Sequence, residues 1–186
     1  YKDQTGRVVT DKVSKPFGIM RGTKQGDPIS PVLFTATLEG IFRKLKAKWA
    51  GEARGIQMGD GWPRQLCNLG FADDVLLVGT SLAHVKAMLV DLQKEAGKIG
   101  LELHMGKTKV LSNELSRTGR SSARSIDVNG SAVEVLEVGK GTMYLGMQMD
   151  LIRLHDAELE HRINRGWAKF MANKSELCDR KYSVLH

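Results

Sequence analysis

The chain has 186 residues, enough for one domain or slightly more and too few for a large multidomain enzyme. With 41% hydrophobic and 26% charged residues it reads as globular, and 28 Lys and Arg against 21 Asp and Glu leave a formal charge of +7. That balance favours a polyanionic partner over an acidic small molecule. Two cysteines, Cys67 and Cys178, exclude a disulfide framework and a Cys-rich zinc site, and the five histidines show no ligand spacing. No apolar run is long enough to span a bilayer and no signal-peptide pattern opens the chain. The expectation is an intracellular, reducing compartment, nuclear or cytoplasmic, with no membrane partner. The chain starts at Tyr1 rather than Met, which reads as a piece of something longer.

In chain order, residues 1–27 read as polar extended structure and turns, with Val8-Val9 and Phe17 to Met20 as short strands. Ser30 as N-cap and Pro31 at the first helical position then open a helix. Phe34, Leu38, Ile41, Phe42, Leu45 and Trp49 form its apolar face, and Gly51 closes it. Arg43, Lys44, Lys46 and Lys48 populate the other faces and read as solvated. A Gly-rich loop follows to Arg64. Leu66 to Phe71 and Val75 to Val78 are two short apolar runs around Ala72-Asp73-Asp74, a β-hairpin pattern. The second helix has Ser81 as N-cap, Leu82, Val85, Met88, Leu89, Leu92, Ala96 and Ile99 on one face, and Gly100 as its left-handed terminator.

Leu101 to Leu103 and Lys109 to Ser112 are further strand candidates around Gly106-Lys107-Thr108. Residues 113–125 form a Ser/Arg/Gly-rich, solvated loop. Ile126 to Asn129-Gly130 and Val133 to Val135 make an Asn-Gly hairpin. Thr142 to Met149 reads as one strand. Asp156 caps a final helix with Leu159, Ile163, Trp167, Phe170 and Met171 on its apolar face and Arg162, Arg165 and Lys169 beside them. Cys178 to His186 look like the start of an unfinished element. Helices mixed with antiparallel hairpins make the class α+β.

Two places carry chemistry. At Phe71-Ala72-Asp73-Asp74-Val75, adjacent carboxylates at a hairpin tip repel one another, and a hard divalent cation such as Mg²⁺ would neutralise them. Against this, Asp is common in turns and an exposed pair at a loop tip costs little. The run Arg21-Gly22-Thr23-Lys24-Gln25-Gly26-Asp27-Pro28 leads into a helix start, where backbone N–H groups can receive phosphate. It also reads as an ordinary loop-to-helix entry.

Taken together, Gln25 to Phe34 followed by Phe71-Ala72-Asp73-Asp74 closely resemble the successive B and C motifs of reverse transcriptases. The Phe-Ala-Asp-Asp form and the lead-in from Arg21 are most similar to the non-LTR, LINE-type retroelement branch. Gly100-Leu101 through Lys107-Thr108-Lys109 resembles motif D, and Tyr144-Leu145-Gly146 resembles motif E, the primer grip. The resemblance runs from about Arg21 to Met149.

This resemblance implies a polymerase palm, a ferredoxin-like antiparallel sheet with helices on one face, over residues 1–150, and the start of a thumb over residues 151–186. It implies two-metal nucleotidyl transfer with Mg²⁺ or Mn²⁺, on an RNA template with a DNA primer and dNTP. By the same resemblance Asp73 and Asp74 are metal ligands and catalytic, and Lys107 acts near the pyrophosphate. Gln25, Gly26, Asp27, Pro28, Phe71 and Ala72 would line the nucleotide and template, and Tyr144, Leu145 and Gly146 would hold the primer. The basic final helix would follow a hybrid duplex through phosphate contacts.

The sequence departs from the family pattern in two ways. His104 stands where motif D usually has Asn. The motif A strand, with its own catalytic Asp, should precede Arg21, where only Asp3 and Asp11 occur in turn-like surroundings, and the fingers are missing too. The expectation is therefore a partial palm, inactive alone. A decayed retroelement remnant acting at most as a basic nucleic-acid-binding module is the alternative, and a group II intron-type reverse transcriptase a second.

Overall fold

The computed structural model describes residues 4–19, 22–24, 26–59, 65–113, 125–153 and 155–179. Strands β1 (Gln4–Gly6) and β2 (Phe17–Ile19) form an exposed antiparallel ribbon, with the Phe17 ring lying over Gly6. The pair expected at Val8-Val9 is not a strand; Val9 only bridges to Val13, and Met20 lies outside the described residues.

Helix α1 spans Ser30–Gly51. Both of its ends differ from the sequence reading. Ser30 lies inside the first turn, and its hydroxyl donates to the Lys24 carbonyl at 2.7 Å instead of capping. Asp27 closes the entrance instead: its carboxylate accepts the Ile29 N–H at 3.0 Å and its carbonyl accepts the Ser30 N–H at 3.0 Å. At the other end Gly51 is still helical, and Ala53 takes the left-handed conformation at φ +52°. Arg54 N–H donates to the Trp49 carbonyl at 2.8 Å and Ala53 N–H to that of Ala50 at 3.3 Å, the paired bonds of a Schellman motif.

Beyond α1, β3 (Ile56–Gln57) pairs with β4 (Gln65–Leu66), and β5 (Asn68–Phe71) pairs with β6 (Asp74–Leu77) as the expected hairpin. Helix α2 (Leu82–Gly97) starts as read, with Ser81 Oγ accepting the His84 N–H at 3.2 Å. Its exit repeats the Schellman pattern with Gly100 at φ +77°, Leu101 N–H donating to Ala96 and Gly100 N–H to Gly97. Ile99 falls past the last helical turn and is 49% exposed, not part of the core face.

Leu101 to Leu103 is not a strand; the segment runs extended without a ladder, both leucines half-buried against the core. Strands β7 (Lys109–Val110), β8 (Ser125–Val128) and β9 (Ser131–Val135) form a sheet in the order β7-β9-β8, with β7 parallel to β9. Asn129 and Gly130, at φ +52° and +85°, make the tight hairpin between β8 and β9. The expected single strand from Thr142 to Met149 is a second such hairpin, β10 (Thr142–Tyr144) and β11 (Met147–Met149), turning at Leu145-Gly146 with φ +49° and +78°. A non-glycine in the left-handed position hid that turn from sequence reading.

Helix α3 spans His155–Ala172 and α4 spans Lys174–Leu177. Asp156 sits in the first turn of α3, not ahead of it. The expected core face of α3 points outward: Leu159, Ile163, Trp167 and Met171 are exposed and only Ala157 is buried. The apolar residues do share one face of the helix, but no other described element covers it. Most of the loop from 113 to 125 and the segment from 180 to 186 lie outside the described residues.

The mixed helix and sheet content agrees with α+β. The described strands do not join into one antiparallel ferredoxin-like sheet; they form four two-stranded ribbons and one three-stranded sheet with a parallel pair. Among the described residues no helix is long and apolar enough to cross a membrane. Two cores meet on α2. Met88, Leu92 and Ala96 pack with Ile41, Phe42, Leu45 and Trp49 of α1, while Leu89 packs with Val110, Ile126, Val128, Val133 and Val135 of the sheet.

A polar cluster fastens the α1 side. Asp91 of α2 accepts from Lys48 Nζ at 2.6 Å, from the buried Trp49 Nε1 at 3.0 Å and from Arg54 at 3.0 Å. Lys48 is solvent-exposed as expected, and it is an interhelical partner as well. Burial alone would raise the Asp91 carboxyl, but hydrogen bonds from Lys48 and Trp49 and the charges of Lys48 and Arg54 outweigh it and hold it below the usual range. The Asp91 side chain is 14% exposed, so its loss strands the buried indole N–H of Trp49 and leaves Arg54 with Glu52, at 2.9 Å, as its remaining carboxylate partner. Asp91→Ala should cost about 3 kcal/mol at neutral pH by urea denaturation. Because the folded carboxyl titrates below its unfolded value, this contribution is full above about pH 4 and fades as pH falls through the folded value. The gap between wild type and variant should therefore shrink in acid, and a gap unchanged at pH 2.5 would contradict the ionic account.

Candidate active site

The Asp73 carboxylate stands on a two-residue turn and the Asp74 carboxylate on the first residue of β6. Phe71 pairs with Asp74 across the hairpin, so Ala72 and Asp73 alone form the turn. Ala72 adopts φ +52°, a conformation that disfavours a Cβ and sharpens the bend. The geometry puts two adjacent carboxylates outside the ladder, both exposed. Neither has an ion pair or side-chain hydrogen bond with another described residue.

Both carboxylates line a cavity of about 550 Å³ whose apolar floor is Phe34, Leu38 and Phe42 of α1 with Leu89, Leu92 and Ala96 of α2. Lys107, Thr108 and Lys109 enter from the segment after α2, and Thr142, Met143 and Tyr144 from β10. Lys107 stands on a turn in which its N–H donates to the His104 carbonyl at 2.9 Å. The Thr108 N–H and hydroxyl also donate to that carbonyl, so three bonds hold the turn. Lys107 is exposed and, like Asp73 and Asp74, free to meet a ligand. Tyr144 is half-buried; burial raises its phenol above the ordinary value, and the nearby Asp74 carboxylate raises it further.

The other sequence candidates lie elsewhere. Gln25 is outside the described residues. Gly26, at φ +89°, and Asp27 and Pro28 sit at the entrance of α1 and do not line the cavity. With the Ile29 and Ser30 N–H groups taken by Asp27 and none on Pro31, that entrance offers an anion less than its sequence suggests. Phe71 is 65% exposed, and Leu145 and Gly146 form the outer tip of their hairpin beyond the cavity lining. Thr108, Thr142, Glu102, His104 and the floor residues Phe34 and Leu38 also line the cavity, a place that their motif and helix-face positions in the sequence do not reveal. Only the flanking motif around Lys107 could have pointed to Thr108.

As donors, Asp73 and Asp74 suit a hard cation, since both oxygen sets are unpaired and solvent-accessible. Among the described residues no third His, Cys, Asp or Glu joins them in a metal-sized cluster. Two cations, Lys107 and Lys109, share the cavity, and Lys109 also lies 3.8 Å from Glu134. The cavity thus combines a carboxylate pair, unpaired lysine and an apolar floor, a setting suited to binding an anionic substrate through a bridging metal.

Residues 4–149 match the family Reverse transcriptase (RNA-dependent DNA polymerase). An uncharacterised transposon-derived protein of Caenorhabditis elegans is 32% identical over 124 residues, 65% of this chain and 43% of that protein. A retrovirus-related Pol polyprotein from the type-1 retrotransposable element R2 of Popillia japonica is 30% identical over 146 residues, 77% of this chain and 23% of the polyprotein. Its counterpart from Nasonia vitripennis is 32% identical over 91 residues, 49% of this chain and 8% of the polyprotein. The chain covers less than half the length of each of these relatives.

The left-handed Ala72 yields a direct test of the tip. Ala72→Gly should stabilise the chain by about 0.5 kcal/mol, because relief of at least about 1 kcal/mol of backbone strain is partly offset by a freer unfolded chain. Thermal denaturation checks it, and a clear loss of stability would mean that the Ala72 methyl packs rather than strains.

Proposed function

Because the chain belongs to the reverse transcriptase family of RNA-dependent DNA polymerases, we propose that it forms the metal-holding and primer-side part of a retroelement reverse transcriptase. In this reading residues 1–150 are palm and residues 151–186 begin the thumb. In the family reading a motif A strand contributes a third carboxylate beside Asp73 and Asp74, and the work is done inside the cell. One observation carries the reading. The carboxylate tip, Lys107 and Tyr144 come from three separate stretches of chain and line a single cavity.

Asp73 and Asp74 would hold Mg²⁺ or Mn²⁺. When bound, the metal supplies charge neutralisation at the transferring phosphoryl group and lowers the pKa of the attacking hydroxyl. The protein's own groups do the rest. The hairpin tip places both residues on one short bend, so the backbone positions from which the carboxylates reach are set by the flanking ladder. Lys107, held by the His104 turn, would balance the negative charge of a departing pyrophosphate or give it a proton. Tyr144 would bound the site on the primer side, with Leu145 and Gly146 against the primer backbone. Gln25, Gly26, Asp27, Pro28, Phe71 and Ala72 would border the nucleotide and template.

The partners in this reading are an RNA template, a DNA primer and dNTP. Exposed Arg162, Arg165 and Lys169 on α3 would meet the phosphates of the hybrid duplex. The surface would follow an A-like duplex by shape and charge rather than by base sequence.

The test is Mn²⁺ binding by electron paramagnetic resonance, run beside primer extension on an RNA template. Wild-type chain should bind Mn²⁺, and Asp73→Asn with Asp74→Asn should abolish it. Any extension should drop at least about a hundredfold in either single variant. Equal Mn²⁺ binding in the double variant, with hybrid binding unchanged in chelator, would reduce the chain to a basic nucleic-acid-binding surface.

A further inference from the structure

Glu158, in the first turn of α3, is the one carboxylate of that helix drawn inward, with its side chain 12% exposed. Its Oε2 accepts the backbone N–H of Gln148 in β11 at 2.5 Å, and its Oε1 accepts from Arg162 Nε. The register explains why Gln148 has an N–H to give. Tyr144 and Met147 flank the two-residue turn and form the hydrogen-bonded pair, so the next pair, Met143 and Gln148, is the non-bonded one. The Gln148 N–H therefore points away from β10, along the outer edge of the hairpin. A further strand or water would ordinarily take it; here a carboxylate does. The Gln148 N–H and then Arg162 hold the Glu158 carboxyl below its usual range, so the acceptor is charged at neutral pH and the bond is charge-assisted.

Two other fastenings close the base of the same hairpin. The Asp150 carboxylate, directly after β11 and buried, accepts the N–H groups of Ile152 and Arg153 at 2.7 and 2.9 Å and closes the turn toward α3. Gly141, just before β10, leaves no room for a side chain: a Cβ there would lie 2.5 Å from the Met149 carbonyl oxygen. The hairpin is thus held at its base and along one edge. Its tip, Leu145-Gly146, is left projecting, with Tyr144 on the cavity side.

We propose that Glu158 is a positioning residue that locks the β10–β11 hairpin to α3, so that Tyr144 and the projecting tip move with the basic face of that helix as one body. The inference rests on the reading above only in what that body grips, a template-primer hybrid. A helix that shifts along the duplex then carries the hairpin with it, so the contact on the primer and the contact on the duplex stay in register. Gln at this position could still accept the backbone N–H, whereas Ala could not.

The test uses the full chain as wild type, Glu158→Ala and Glu158→Gln. Amide hydrogen exchange reads the Gln148 bond, and fluorescence anisotropy reads the Kd for an RNA–DNA hybrid. Glu158→Ala should speed exchange at Gln148 at least tenfold and weaken hybrid binding severalfold, with exchange in the β8–β9 hairpin unchanged. Glu158→Gln should restore most of both. Unchanged Gln148 exchange or unchanged affinity in Glu158→Ala overturns the proposal. So does faster exchange spread equally over β8–β9, which marks a residue needed only for folding, and so does a Glu158→Gln chain as impaired as Glu158→Ala. If wild-type chain binds no hybrid, the function proposed above fails, and the exchange data alone decide the coupling.

Discussion

The contact between Asp91 and the end of α1 sets the geometry on which the rest of the molecule depends. One carboxylate on α2 collects a lysine, a buried indole N–H and a guanidinium from the last turn of α1 and the residues after it. It holds α1 and α2 side by side at the end where Trp49 and Met88 are fully buried. The same two helices supply the floor of the cavity through Phe34, Leu38 and Phe42 and through Leu89, Leu92 and Ala96. An error in their spacing would be passed directly to the carboxylate hairpin above. A close-packed interior transmits such displacements rather than absorbing them.

On that floor the chemistry stands on tight turns. Ala72 beside Asp73, Leu145 beside Tyr144, and the turn ending at Lys107 each place a cavity-lining side chain on or next to a sharply bent backbone. Two of these bends use a non-glycine in the left-handed region, which costs about 1–2 kcal/mol each. A two-residue turn has few soft torsions, so a side chain on it is aimed by the flanking ladder. The strain and the positional accuracy have one source. Helix termini add a parallel case: α2 ends with Gly100 and α1 ends in the same pair of hydrogen bonds with Ala53, where a glycine would fit without strain.

The described surface is uneven in a way that follows from these elements. The β5–β6 hairpin leaves Leu69 and Phe71 exposed, and α3 leaves Leu159, Ile163, Trp167 and Met171 exposed. Within the chain, Glu158 and Asp150 hold α3 to the hairpin before it, so the apolar stripe is carried on an anchored helix.

Local pattern determined much of this protein. The two long helices, the Ser81 cap, the Gly100 terminator, the Asn129-Gly130 hairpin and the carboxylate tip at Asp73-Asp74 all follow from spacing and turn chemistry within a few residues. The ordered motifs placed the chain in its family for the same reason, since each motif is short and contiguous. Tertiary structure decided what depends on distant partners. It made Ser30 a tether to Lys24 rather than a cap, gave the exposed Lys48 a partner in Asp91, and faced the apolar stripe of α3 outward. It also folded Thr142 to Met149 back on itself through a left-handed leucine and brought Tyr144 beside Asp74. Periodicity reports which side of an element is apolar and turn residues report where the chain can bend. What covers that side, and which bend meets which, is settled only when segments far apart in the chain compete for the same buried space and the same hydrogen bonds.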